Sequence, residues 1–239
     1  MPSSWFAPPK LDLEGKACDP TARKFINKIE PKRWIAFTVT ILFLYISLYL
    51  VSSVFTWEKD DKKISKHYYD GLYTILLGTF LFLFGNFNNT FSYWFAIGII
   101  LGGFTIAIIG QLPGFQFSTG SLTSLTGVPL LVVSVFGLAL VGSLIFTFLY
   151  YRKCELTPMF WAFLLIPIAI LVLGYLCYTV DSDSVEFHLH HWQWAILFVF
   201  FARFPGIPWQ SFLTGVFVGI IVDGISRYGP DTLFPPVTP

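Results

Sequence analysis

Apolar stretches of nearly 20 residues recur along this 239-residue chain, at 34–55, 72–87, 91–110, 128–151, 159–180, 187–204 and 209–228. A helix needs about 20 apolar residues to cross the hydrocarbon core of a bilayer. With 55% hydrophobic and only 12% charged residues, including 27 Phe, the composition lies outside the usage of soluble domains. The predicted fold is all-α, a polytopic integral membrane bundle of about seven transmembrane helices with no soluble domain. Residues 1–33 read as an N-terminal basic tail with a short interfacial helix, 34–228 as the membrane domain, and 229–239 as a proline-rich C-terminal tail.

Local punctuation supports these boundaries. Pro129 and Pro158 stand where helices start, Pro205 and Pro208 bracket a tight turn, and FNNT at 87–90 is a polar break. The 72–87 segment is short unless Tyr68 and Tyr69 extend it, and His67 beside Lys66 reads as a solvated loop residue. Trp34, Trp57, Tyr93, Trp94, Trp161, Trp192 and Trp209 near segment ends form the expected interfacial belt. The opening MPSSWFAPPKLDLEGKACDP lacks the apolar core of a cleavable signal, so the first segment is expected to direct insertion. Cys18, Cys154 and Cys177 have neither disulfide-framework nor metal-type spacing.

Orientation follows from the basic residues. On a seven-span path, ten Lys and Arg share the side of the N-terminus and five lie on the other. That places the N-terminus on the cytoplasmic or matrix side and the C-terminus opposite. Within the tail, Asp19 and Pro20 open a short helix that sets Phe25, Ile26 and Ile29 against Arg23, Lys24 and Lys28, suited to the membrane surface. The sequon Asn88-Asn89-Thr90 falls on the inner side and is expected to be unmodified. A net charge of +1 gives no reason to expect a nucleic-acid partner.

The scarce titratable residues gather at the outer side. FHLHHWQW, 187–194, holds His188, His190 and His191 at the start of the sixth segment, and the seventh ends there in VDGISRYGPD. In the seventh, Gly215, Gly219, Asp223 and Arg227 recur every four residues on one helix face, and small residues at that spacing allow a neighbouring backbone to come close. The sixth segment is the expected neighbour. Asp223 lies about 7 Å inside the helix end, where a carboxylate needs a partner.

Three readings follow. In the first, His190, Asp223 and Arg227 form a structural clasp. In the second, His188, His191 and Asp223 bind zinc or another transition metal. In the third, the imidazoles handle protons. No HExxH, GxSxG, Walker or Rossmann fingerprint occurs, and no other cofactor is indicated.

The run HLHHW, then ARFP, then a glycine-spaced helix ending GISRYG resembles the last two membrane helices of multi-pass eukaryotic proteins, among them fungal LCCL-domain proteins. The resemblance covers the last fifth of the chain, which has no room for an LCCL domain. It implies that the C-terminal helical hairpin is a recurring module.

The expected function is that of a non-enzymatic accessory or scaffold subunit of a larger membrane complex, partnered by the lipid bilayer and by other membrane-protein subunits. One alternative is a metal-dependent membrane hydrolase with Glu186 or Asp183 as general base. The other is a small transporter, which would show internal repeats and interrupted helices.

Overall fold

The computed structural model describes residues 29–55, 64–111, 127–153, 156–180, 191–199 and 208–229, and no strand occurs among them. In chain order the helices are α1 (Pro31–Val54), α2 (Ile64–Phe84), α3 (Phe87–Thr90), α4 (Tyr93–Ile109), α5 (Val128–Lys153), α6 (Thr157–Val180), α7 (His191–Val199) and α8 (Pro208–Tyr228). By length and composition, α1 with 24 residues and α8 with 21 are long and apolar enough to cross a membrane. At 1.5 Å per residue they measure about 36 Å and about 31 Å, against a hydrocarbon core of about 30 Å.

Helix ends follow local chemistry. Pro31 and Pro208 open α1 and α8, where a missing amide proton leaves no intrahelical bond unmade. Ser92 caps α4, its Oγ accepting from the Phe95 amide at 3.4 Å. Gly229 closes α8 at φ 79°, with its amide donating to Ile225 O at 2.9 Å. Between α2 and α3, Asn86 takes φ 61° and its Oδ1 accepts from Asn89 Nδ2 at 2.8 Å. The start of α1 is tied to this turn: Asn88 Oδ1 accepts from the Glu30 amide at 2.8 Å, and Asn88 O accepts from Arg33 at 2.6 Å. Thr90 of the sequon is buried.

Contacts fix the helix directions. Gly98, Gly102 and Gly110 of α4 meet Gly215, Val216 and Arg227 of α8 in the same order, so these two helices run parallel. Phe37 and Leu44 of α1 meet Phe95 and Gly103 of α4, which makes α1 parallel to both. α2 runs against α1, with Gly78 on Ile41 and His67 on Tyr49. α7 runs against α8, through Trp192 on Gly224 and Phe198 on Phe217. α5 and α6 form a hairpin closed by Tyr151 on Phe160, and the end of α5 meets the start of α8 through Phe146 on Trp209. One end of the bundle, called here the polar end, therefore collects the C-termini of α1, α4 and α8 and the N-termini of α2 and α7. The opposite, basic end collects the starts of α1, α4 and α8 and the end of α5.

The α4–α8 contact is backbone on backbone. A methyl carbon placed on Gly102 would stand 2.6 Å from both Cα and O of Val216, and one on Gly219 would stand 2.6 Å from the Gly103 nitrogen. Gly98 and Gly215 likewise face main-chain atoms of Phe212 and Phe95. This corrects the expectation that the sixth segment covers the Gly215–Gly219 face. α4 supplies the matching flat surface, whereas Trp192 of α7 takes Gly224, about 140° round the helix from Gly219. Around this pair, Phe37, Phe82, Phe87, Phe91 and Phe95 form a buried aromatic cluster with ring centroids 4.8 to 6.4 Å apart.

The glycines offer a built-in comparison. Gly219→Val must push two main chains apart and is expected to destabilise the fold by at least about 1–3 kcal/mol. Gly137→Ala in α5, where nothing among the described residues lies within 4 Å, should be neutral or stabilising by up to about 1 kcal/mol. Thermal unfolding of the detergent-solubilised variants reads the difference, and equal melting temperatures would refute the close contact.

Candidate functional site at the polar end

The polar end is built mainly by the last turns of α8. Asp223, completely buried, accepts from an Arg227 terminal guanidinium nitrogen at 2.7 Å, and the Arg227 side chain is only 5% exposed. The four-residue spacing puts both on one helix face. Burying either charge alone would cost several kcal/mol, so each is tolerable there because of the other. The face is the one that Gly215 and Gly219 begin, and it stays against α4 to its end. The guanidinium lies over Gly110, with two nitrogens 3.2 and 3.4 Å from where a methyl on that glycine would be. Gly110 closes α4, so the cation sits where that helix's carbonyl dipoles point. Ser226 Oγ donates to Asp223 O at 2.9 Å, and the Arg227 guanidinium carbon is 5.4 Å from the Tyr228 ring centroid.

α2 brings a second set of polar groups to the same end. Asp70 is buried, and its carboxylate oxygens stand 3.4 and 3.5 Å from the position of a methyl on Gly229, just past the end of α8. Three residues earlier, His67 lies with its ring centroid 4.0 Å from that of Tyr49, and Tyr45 Oη is 3.4 Å from Nδ1 and 3.3 Å from His67 O. Those two polar contacts are long and correspondingly weak. The reading of His67 as a solvated loop residue is thus corrected: α2 starts at Ile64, and two tyrosines of α1 receive the imidazole. The spacing His67-Tyr68-Tyr69-Asp70 was the available signal, since residues three apart share a helix face.

Of the residues singled out by the sequence, Asp223, Arg227, Gly215 and Gly219 lie on one face of α8. His188 and His190 lie outside the described residues, as do Asp183, Glu186 and the side chain of His191. The placement of α7 is described, however, and its Trp192 packs on Gly224, so the chain enters α7 at the level of the Asp223–Arg227 pair. Among the described residues no group of three or more His, Cys, Asp and Glu side chains is placed to hold a metal ion. Comparison with protein-family models, curated proteins and solved structures finds no match to this chain.

What the arrangement does chemically is to lock a carboxylate to a guanidinium inside the bundle and to fasten the ends of α4 and α8 together. Asp223→Ala, which strands the arginine, is expected to cost about 3–5 kcal/mol, and Arg227→Met a similar amount. The double substitution Asp223→Leu with Arg227→Met should recover most of the loss, because no charge is then left buried. A double-variant cycle of melting temperatures checks this, and strictly additive losses would show that the pair does not act as a unit.

Proposed function

We propose that this chain is a seven-span integral membrane protein acting as a non-enzymatic accessory or scaffold subunit of a larger membrane assembly. Its N-terminus lies on the cytoplasmic or matrix side. Its C-terminal hairpin, on this reading, is the module shared with the multi-pass proteins it resembles.

The membrane reading is supported by which way apolar side chains face. In α1, Ile35, Val39, Phe43, Ile46 and Leu50 are exposed along one face while Phe37, Ile41, Leu44 and Leu48 are buried on the other. Such an outer face is unfavourable in water and natural in lipid. The seven-span path is supported by direction. On an alternating path the first, third and seventh segments must be parallel, as α1, α4 and α8 are, and the second and sixth must oppose them, as α2 and α7 do.

The observation that carries the subunit reading is the outer half of α5. Leu130, Leu131, Val135, Leu138 and Val141 are all exposed, and Gly137 and Gly142 have nothing among the described residues within 4 Å. Elsewhere in the described helices, as at Gly78, Gly98, Gly102, Gly215, Gly219 and Gly224, a missing side chain is matched by a close neighbour. A helix that gives up side chains where no described residue faces it fits a surface completed by another chain.

Mild detergent extraction followed by affinity purification and mass spectrometry tests the reading. Other membrane proteins should copurify in stoichiometric amounts. A monodisperse, isolated monomer after gentle extraction would count against the subunit role.

A further inference from the structure

The apolar outer surface of the described helices has a rim at each end, and helix contacts bring the rims into line. Gly98 of α4 faces Phe212 and Gly215 of α8, which sets the exposed indole of Trp94 level with that of Trp209. Phe37 on Phe95 and Leu44 on Gly103 set Trp34 of α1 level with Tyr93. Phe146 packs on Trp209 and Phe148 on Trp161, so the exposed ring of Trp161 joins the same rim. Past this rim stand the exposed cations Lys32 and Arg152.

The opposite rim is equally aligned. Arg227 over Gly110 sets the exposed Gln111 level with the exposed ring of Tyr228, and the register of α1 on α4 brings the exposed Ser53 there as well. In α2 the rim comes sooner: His67 lies against Tyr49, which places the exposed Lys66, Tyr68 and Tyr69 within about a turn of that level. Between the rims, the exposed positions of α1 from Ile35 to Leu50 and of α4 from Ile97 to Ile108 are apolar except for Thr105.

At 1.5 Å per residue, the rims stand about 26 Å apart from Trp94 to Gln111 in α4, and about 29 Å apart from Trp34 to Ser53 in α1 and from Trp209 to Tyr228 in α8. From Trp34 to Tyr49, where α2 presents its lysine, the distance is about 23 Å. Indole rings and polar side chains stand at headgroup depth, so these are upper limits on the hydrocarbon between them, and helix tilt lowers them further. An average bilayer has about 30 Å of hydrocarbon and a sterol-rich one about 32–33 Å.

We propose that this surface is matched to a thin, sterol-poor bilayer whose hydrocarbon is about 26 Å across or less. The inference rests on the membrane reading above and deepens it by naming the lipid environment. The full length of α1, about 36 Å, overstates the thickness, because its first turn carries Lys32 and its last carries Ser53.

The experiment reconstitutes the full chain into phosphatidylcholine vesicles with monounsaturated chains of about 14, 18 or 22 carbons, and measures relative lipid affinity from quenching of its tryptophans by brominated lipid of each length. Lipids with the two shorter chains should bind better than the longest by roughly threefold, since mismatch costs a fraction of a kcal/mol per Å. Ser53→Leu with Gln111→Leu lengthens the apolar surface at exposed positions and should move the optimum toward the longest chain, whereas Thr105→Leu, inside the rims, should leave it in place. A wild type that favours the longest chain or shows no dependence on length, or a double variant with an unmoved optimum, would overturn the proposal while leaving the membrane reading standing. Absence of quenching by brominated lipid of any length would overturn both.

Discussion

The close approach of α4 and α8 is the contact on which the rest of this structure depends. On the proposed membrane reading there is little hydrophobic force to bring two apolar helices together, so association would rest on packing and on weak main-chain interactions at short range. Glycines at 98, 102, 215 and 219 remove the side chains that would hold the main chains apart. With the helices parallel and in register, Arg227 arrives at Gly110, and α1 can lay Leu44 against Gly103. A slip of one turn would remove the guanidinium from the end of α4 and present side chains where glycines now meet backbone.

The ion pair is placed by that register and in turn secures it. α8 is the most enclosed of the long helices, with every residue from Phe217 to Arg227 buried, so a carboxylate on it is surrounded by protein. Arg227 answers it from one turn away and also lies at the carbonyl ends of two helices, its own and α4. The arrangement rewards one alignment of α4 and α8 over its neighbours. Buried ion pairs add little net stability over apolar replacements, so alignment is the better account of why charges stand here.

Much of this was legible in the sequence, and the limits are physical. Each apolar segment overlaps a described helix, though the bounds differ, most at α2, which starts at Ile64, and at α7, which is described for nine residues. The spacing of Gly215, Gly219, Asp223 and Arg227 announced a single contact face. The identity of the facing helix was not announced, since a row of small residues says that a backbone can approach without saying which one. The matching row at Gly98 and Gly102 was equally visible, but nothing local distinguishes it from the nearer sixth segment. His67 was misjudged for a similar reason. Its immediate neighbours Lys66, Tyr68 and Tyr69 suit an interface, and the residues that enclose it, Tyr45 and Tyr49, lie on another helix.

The direction of the chain also explains α6, which makes few contacts with the rest of the core. α5 ends at the basic end, where Thr147 meets Gln210, and α7 begins at the polar end, where Trp192 meets Gly224. Some segment must carry the chain from the first place to the second. α6, with 24 residues, reaches about 36 Å, comparable to the 26-residue α5 with which it forms a hairpin. Its place in the fold is thus fixed by what precedes and follows it, and its exposed residues, such as Leu165, Ile168, Val172 and Leu173, are free to suit the surroundings rather than the core.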